Sequence, residues 1–512
     1  MTYKKQINRR QFLGTAAAAS AATILPRHVL GGPQHVAPSD KLNIALIGSG
    51  TMALKMLMDD WLPRENLQIT SICDPNAATD DYVDWSEHGL RNSIREFLND
   101  PDWADGVDGI LAGREVGLEL VTRYYAQQKR SGEFDGVKGY ADYRELLDTE
   151  QEIDGVLIMT PEHLHAAIAI AAMEKGKHAV SHKTLSNRLA EVRLAADTAR
   201  QHDDVVTHLM AWINDEPYYQ IKYLIESGAV GDVREIHNWS LRPMWPQGWL
   251  HNPVERPPVP DGMDWDLWLG NVPHRPYHPA YTHALFRGWI DFGSGSLGDM
   301  GNYSLWRLYR ILGLTTPERV IASPTTGAMV VDQTSGPRLT QVAHPNSSTI
   351  RFFHSEGNGH GPVEVFFYDG GRQPDIPREL LDRGETFGRE GMMIVGSDGF
   401  ILGGYQGEDA RVFSNGQEIE AVIQMQMEPE DEAGRLDGTD EWITAVQQGR
   451  KSRGSFENVQ PLAEATCLGI IGNLVNGQVD FDVENMKITN NEEAGAHLYR
   501  EYRPGWELAV PS

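Results

Sequence analysis

A chain of 512 residues, 40% hydrophobic and 23% charged, is globular in composition and long enough for two domains with separate cores. Its formal charge of −27, from 45 basic and 72 acidic residues, argues against nucleic acid or an anionic membrane surface as partner. The two cysteines, Cys73 and Cys467, lie far apart and make no disulfide scaffold.

Residues 1–38 read as a signal and linker. Asn8-Arg9-Arg10-Gln11-Phe12-Leu13 places a twin-arginine pair before a short, moderately apolar run closed by Pro26, too short to span a bilayer. The expectation is Tat export to the periplasm or beyond. That route carries folded proteins, so a cofactor bound in the cytoplasm can travel along.

The stretch from Lys41 to Ala53 sets the frame of the first domain. Leu42, Ile44, Leu46 and Ile47 form the apolar run of a buried parallel strand, and Gly48-x-Gly50-x-x-Ala53 opens a helix. Gly48 permits a tight turn, Gly50 lets a pyrophosphate approach the backbone, and Ala53 lets the helix pack close to the strand. A second strand, Leu67 to Cys73, ends in Asp74, 24 residues past Gly50, where a carboxylate meets adenosine ribose hydroxyls. This predicts a dinucleotide site with Gly48, Ser49, Gly50, Thr51, Met52 and Asp74 in contact. Asp74 favours NAD over NADP because it repels a 2′-phosphate.

Residues 77–137 form a long insertion with a helix predicted over 116–128. The strand-helix rhythm then resumes, with strands at 155–159, 178–183 and 205–210, and helices from Tyr143, over 165–175 and around 189–199. Thr160-Pro161 falls at a strand C-terminus, where such sheets place ligands. Residues 39–210 are therefore expected to be a Rossmann NAD-binding domain with that insertion. From about Asp232 the texture becomes alternating and aromatic-rich, predicting an α+β domain over 211–512 with an open, largely antiparallel sheet. Six of the thirteen tryptophans lie between Trp239 and Trp289, for which sugar stacking and core packing are equal readings.

Three stretches resemble the Gfo/Idh/MocA oxidoreductases. Thr160-Pro161-Glu162-His163-Leu164-His165 is similar to the family's Thr-Pro-Asn-x-x-His segment, and Ser181-His182-Lys183-Thr184 stands where the family has Glu-Lys-Pro. In the third stretch, Arg287-Gly288-Trp289-Ile290-Asp291-Phe292-Gly293 and Gly298-Asp299-Met300-Gly301 resemble the secreted, sugar-associated members. The resemblance implies Thr160, His163, His165, His182 and Lys183 at the cofactor, with Lys183 also at the substrate hydroxyl. It further implies Asn214, Arg242, Trp245, Trp289, Asp299 and Asn302 as substrate contacts, and pairing of subunits through the second-domain sheet.

The departures bear on chemistry. After Gly301 the family's Cys-His is replaced by Asn302-Tyr303, which removes a group titrating near neutrality. Tyr303 and Lys183 are the candidate catalytic pair, with Tyr303 dependent on a nearby cation to lower its pKa. Metal is not expected, since no acidic or cysteine ligand has metal spacing beside His178, His182, His163 and His165. The expected activity is hydride transfer between retained NAD(H) and a ring carbon of a carbohydrate or glycoside. Two alternatives stay open: a redox-neutral, NAD-dependent glycoside hydrolase or lyase, and a non-catalytic sugar-binding relative.

Overall fold

The computed structural model describes residues 41–128, 134, 136–210, 216–356, 360–420 and 438–510. Strands β1 (Leu42–Ile47), β2 (Leu67–Cys73), β3 (Lys138–Tyr140), β4 (Gly155–Ile158), β5 (His178–Ser181) and β6 (Thr207–Leu209) form one sheet in the order β3-β2-β1-β4-β5-β6. Every pairing in it is parallel. A parallel sheet needs cover on both faces, and the sequence supplies it: Ile44 to Ile47 and all of β4 are buried. Helices His165–Glu174 and Leu189–Gln201 cover one face. Helix Arg114–Gln128 buries Val116, Leu120 and Val121 on the other. Chain order reverses between β1 and β4, which opens a crevice at the strands' C-terminal ends.

The insertion between β2 and β3 holds Gly89–Leu98 as well as the predicted helix. Its amphipathic face buries Leu90, Ile94 and Leu98. The segment before that helix is stitched to the second domain by Ala77 N–H on Gly262 O at 2.8 Å and Asp264 N–H on Pro75 O at 2.9 Å.

The second sheet contains β7 (Val233–Trp239) and β8 (Arg319–Pro324), with β9 (Gly327–Val331) and β10 (Thr334–Arg338) forming a separate hairpin. It continues through β11 (Ser348–His354), β12 (Val363–Tyr368), β13 (Gly391–Gly396), β14 (Gly399–Gly403), β15 (Arg411–Ser414), β16 (Gln417–Ile419), β17 (Gln478–Asp482) and β18 (Lys487–Ile488). The ten strands run β16-β15-β14-β13-β7-β12-β11-β8-β17-β18. Only β7 and β12 pair in parallel, so the sheet is largely antiparallel. Helix Phe456–Val475 lies against its inner face and against Leu189–Gln201, and buried Glu464 pairs there with Arg193 at 2.9 Å. Helix Gly438–Gln448 returns to the first sheet, where Trp442 Nε1–H donates to Val206 O at 3.2 Å. Among the described residues no helix is long and apolar enough to cross a membrane.

The tryptophan-rich segment packs mostly on itself. Trp249 stacks on Trp289 at 4.3 Å and Trp265 on Trp268 at 4.8 Å, around Tyr281 and Phe292. Of the six tryptophans from Trp239 to Trp289, Trp245 and Trp268 reach a cavity.

Candidate active site

β1 runs straight into the glycine turn. Gly48 has φ +95°, and a Cβ there would lie 2.6 Å from the Met159 carbonyl carbon, so the turn is packed against the end of β4. Asp74, at the tip of β2, accepts from Ser49 N–H at 2.7 Å and Asn76 N–H at 2.8 Å, which ties the turn to the second strand. Burial raises the Asp74 pKa against the pull of those two amides. The ring of Tyr82, from the insertion, occupies the space beside Gly50, 3.3 Å from where a Cβ would sit. Tyr82 in turn packs against His283, ring centroids 3.7 Å apart and tilted by 34°, and His283 bonds Asp81 at 3.0 Å.

A cleft of about 930 Å³ runs from this turn to the ends of β4 and β5. Its far end is lined by Thr160, Glu162, His165, His182 and Lys183, with Tyr82, Trp85 and Arg287 along its outer wall. His165 sits between the Thr184 and Thr160 carbonyls at 2.6 and 2.8 Å, and burial pushes its pKa down to about 4.

An adjoining chamber of about 730 Å³ shares Met52, Trp85, His182, Lys183 and Arg287 with the cleft and adds Arg242, Met244, Trp245, Asp299, Met300 and Tyr303. Lys183 stands where the two meet. Its ammonium donates to the Asp299 carboxylate, which also accepts from Arg287 Nε at 3.4 Å. Burial lowers the Lys183 pKa although Asp299 opposes it. Burial would raise Asp299, but Lys183 and Arg287 outweigh it and hold the carboxyl low. Tyr303 and His182 bond through OH and Nε2 at 3.1 Å, and burial drives the histidine pKa well down.

The expected lowering of the Tyr303 pKa by Lys183 is reversed. Lys183 Nζ lies 5.4 Å from the tyrosine ring centroid, yet burial, followed by the Asp299 charge, raises the phenol pKa. The lysine's charge is committed to Asp299.

The fold thus brings Gly48, Gly50, Thr51, Met52, Asp74, Thr160, His165, His182 and Lys183 to the cleft, and Arg242, Trp245, Asp299 and Tyr303 to the chamber. Other candidates lie off the two cavities. Ser49 is buried in the turn, His163 packs between Trp268 and Phe292, Trp289 is in the aromatic core, and Asn302 donates to Gly298 O at 2.9 Å. Asn214 falls outside the described residues. Glu162, Arg287, Tyr82 and Trp85 line the cavities without having been singled out by sequence. Glu162 and Arg287 sit inside the stretches that resemble the family, whereas Tyr82 and Trp85 lie in an insertion with no periodic signal.

The cleft suits a dinucleotide. Its turn has the close-packed Gly48 and acid-tipped β2, and buried Thr160 Oγ1 and Glu162 Oε2 have no hydrogen-bond partner among the described residues, leaving them available to a bound polar group. Among the described residues no group of three or more His, Cys, Asp or Glu stands together as metal ligands.

Comparison with known proteins agrees. Residues 42–209 match the family model described as an oxidoreductase-family, NAD-binding Rossmann fold, residues 215–324 match the family's C-terminal α/β domain, and residues 6–26 match the twin-arginine translocation signal. The signal addresses the protein to Tat export. The chain is 34% identical over 146 residues to levoglucosan dehydrogenase of Pseudarthrobacter phenanthrenivorans, covering 27% of this chain and 36% of that protein. It is 24% identical over 170 residues to a glycosyl hydrolase family 109 protein of Stenotrophomonas maltophilia, covering 33% of this chain and 28% of that one. These alignments therefore span about a third of the curated relatives' length. The WlbA dehydrogenase of Bordetella pertussis, solved with NADH and UDP-GlcNAcA, superposes with a TM-score of 0.51 at 12% identity over 86% of this chain and 99% of its own, a likeness of fold. With both domain models matched in order over more than half of its length, an NAD-binding Rossmann domain first and the α/β domain after it, this chain belongs to the Gfo/Idh/MocA family of oxidoreductases.

Proposed function

We propose that the protein is an exported oxidoreductase that moves a hydride between retained NAD(H) and a ring carbon of a carbohydrate or glycoside. The observation that carries this reading is the position of Lys183 at the junction of the cleft and the chamber. A substrate in the chamber would meet the far end of a dinucleotide there. Bound NAD would supply the hydride acceptor.

The chain's own residues handle the proton. Lys183 takes up the substrate hydroxyl proton in its neutral amine form, which burial favours by pulling the ammonium pKa down, and Asp299 then accepts from the ammonium that results. Tyr303, with its hydroxyl bonded to His182, positions the same substrate hydroxyl. Arg242 and Trp245 bind the sugar, by hydrogen bonding and by a ring face respectively. Residues 39–210 act as the cofactor domain and 211–512 as the substrate domain, with Gly438–Gln448 bracing the first sheet. Half-buried Phe353 and Phe366, with Arg351 and Glu364, lie on the outer face of the second sheet and support a homo-oligomer paired there.

The test is a sugar panel added to the NAD-loaded protein, read at the reduced-nicotinamide absorbance band. A change with at least one sugar is expected, and its abolition by Lys183→Ala places the chemistry at the junction. The glycosyl hydrolase family 109 relative favours a second reading, in which oxidation and re-reduction occur on one glycoside. Glycoside cleavage without added NAD and with no net reduced nicotinamide would select it.

A further inference from the structure

The far end of the cleft holds a carboxyl group that the mechanism above does not use. Glu162 follows Thr160-Pro161 at the end of β4, is 2% exposed, and lines the cleft beside His165 and Lys183. Among the described residues its Oε2 has no hydrogen-bond partner. A structural carboxylate this deeply buried is ordinarily satisfied by a guanidinium, an ammonium or backbone amides. Here the nearby cations, Arg287 and Lys183, are both bonded to Asp299 instead. Glu162 therefore lines the cleft with one carboxylate oxygen, Oε2, unpaired among the described residues.

Strand order identifies which half of a dinucleotide comes to that end. Asp74 closes the β1–β2 side, where the adenosine ribose binds, so the other half extends across the switch point to the β4–β5 side that Glu162 shares with Lys183. The oxidised nicotinamide ring carries a positive charge and the reduced ring carries none. A fixed negative charge beside the ring discriminates between the two, whereas a neutral carboxyl does not.

We infer that Glu162 sets the oxidation-state preference of the bound cofactor: as a carboxylate it favours NAD+ over NADH, and as a neutral acid it releases that preference. The inference rests on the cofactor reading proposed above. Its pH range is set by the surroundings. Burial raises the Glu162 pKa to about 7 in spite of Arg287 and Lys183, with Asp299 adding to the rise and the Ser294 hydroxyl beside it opposing. His165, with a pKa of about 4, and His182, held well below the usual histidine value by burial, both stay neutral between pH 6 and 8. His163, behind Glu162, is pushed down to about 3 and does the same. Lys183, lowered by burial, also faces the site, so the assignment to Glu162 needs a variant as well as a pH profile.

For an enzyme that keeps its cofactor, such a group has a consequence. Above neutrality the resting protein holds the hydride acceptor form, ready to oxidise. Below it the neutral acid no longer stabilises NAD+ against NADH, so the bound couple becomes more oxidising as the pH falls.

The test is equilibrium competition of NAD+ against NADH on the mature protein, read by fluorescence of bound NADH from pH 6 to pH 8. The expected result is a shift of about tenfold towards NAD+ over this range in the natural protein. Glu162→Gln, which keeps shape but not charge, should flatten the profile at the low-pH ratio, and Glu162→Asp should restore a pH-dependent ratio. A ratio that moves with pH in the same way in Glu162→Gln, or that never moves in the natural protein, overturns the inference while leaving the cofactor site standing. Failure of either nucleotide to bind overturns the cofactor reading and the inference together. Should Glu162→Gln not fold, Glu162→Ala makes the same comparison, a flat profile supporting the inference and a profile sloping as in the natural protein overturning it.

Discussion

Replacing Asp74 by alanine tests the cofactor site through two effects of different origin. A 2′-phosphate about 5 Å from a carboxylate, at an effective dielectric of about 20, is repelled by about 3 kcal/mol per unit charge. Arg114 tempers this, because its Nη1 donates to the Asp74 carbonyl at 2.9 Å and its charge acts on the same carboxyl. A surviving difference of about 1.4 kcal/mol still means a tenfold preference for NAD over NADP. Asp74→Ala should close that gap. It should also cost stability, because the Ser49 and Asn76 amides, now held at 2.7 and 2.8 Å, lose their acceptor. At about 1–3 kcal/mol for each buried amide left unpaired, a loss of about 3 kcal/mol is expected. Since burial raises the Asp74 pKa, acid should also narrow the NAD/NADP gap in the natural protein, the carboxylate being neutralised earlier than a free one. Calorimetric titration with both nucleotides reads the preference, and urea denaturation reads the stability. Equal affinities in the natural protein, or a gap unchanged in Asp74→Ala, would refute the argument.

Lys183→Ala should abolish turnover while cofactor affinity changes by less than about threefold, and Tyr303→Phe should slow the proton-coupled step by about 10²-fold; single-turnover kinetics and nucleotide titration separate the two. Asp369 is buried and its pKa is raised to about 7 by that burial, against the hydrogen bonds from Ser348. Its folded pKa thus exceeds its unfolded one, so ionisation costs stability as pH rises from about 4 to about 7, and Asp369→Asn should gain about 2 kcal/mol relative to the natural protein between pH 5 and pH 8 by urea melts. Light scattering at micromolar concentration should show a homo-oligomer, and glutamate at Phe353 and Phe366 together should shift it towards monomer.

The reach of the sequence depends on where its signals lie. β1, β2, β4, β5 and β6 were legible because buried parallel strands are short apolar runs, and Gly48 and Asp74 punctuate them at spacings that backbone geometry requires, whereas β3, a largely exposed Lys138-Gly139-Tyr140, carries no such run. Lys183 and Asp299 were readable from motifs, but their ion pair joins residues 116 positions apart and has no local trace. Tyr303 was matched to Lys183 by residue type, whereas burial and the Asp299 charge decide its pKa. The tryptophan cluster resolved towards packing because Trp249, Trp265, Trp268 and Trp289 stack on one another. Tyr82 and Trp85 were missed because the insertion that carries them is shaped by its contacts with the 260–287 segment rather than by a repeat of its own.

The fate of one hydride tests the central claim most directly. Protein recovered from the exported fraction, without added nucleotide, is expected to hold near-stoichiometric NAD(H). Given a sugar deuterated at the reacting ring carbon, it should carry deuterium on the nicotinamide when the cofactor is released by denaturation, and the same protein with Lys183→Ala should carry none. An empty site in the exported protein, or a substrate turned over with no deuterium reaching the nicotinamide, would contradict the account.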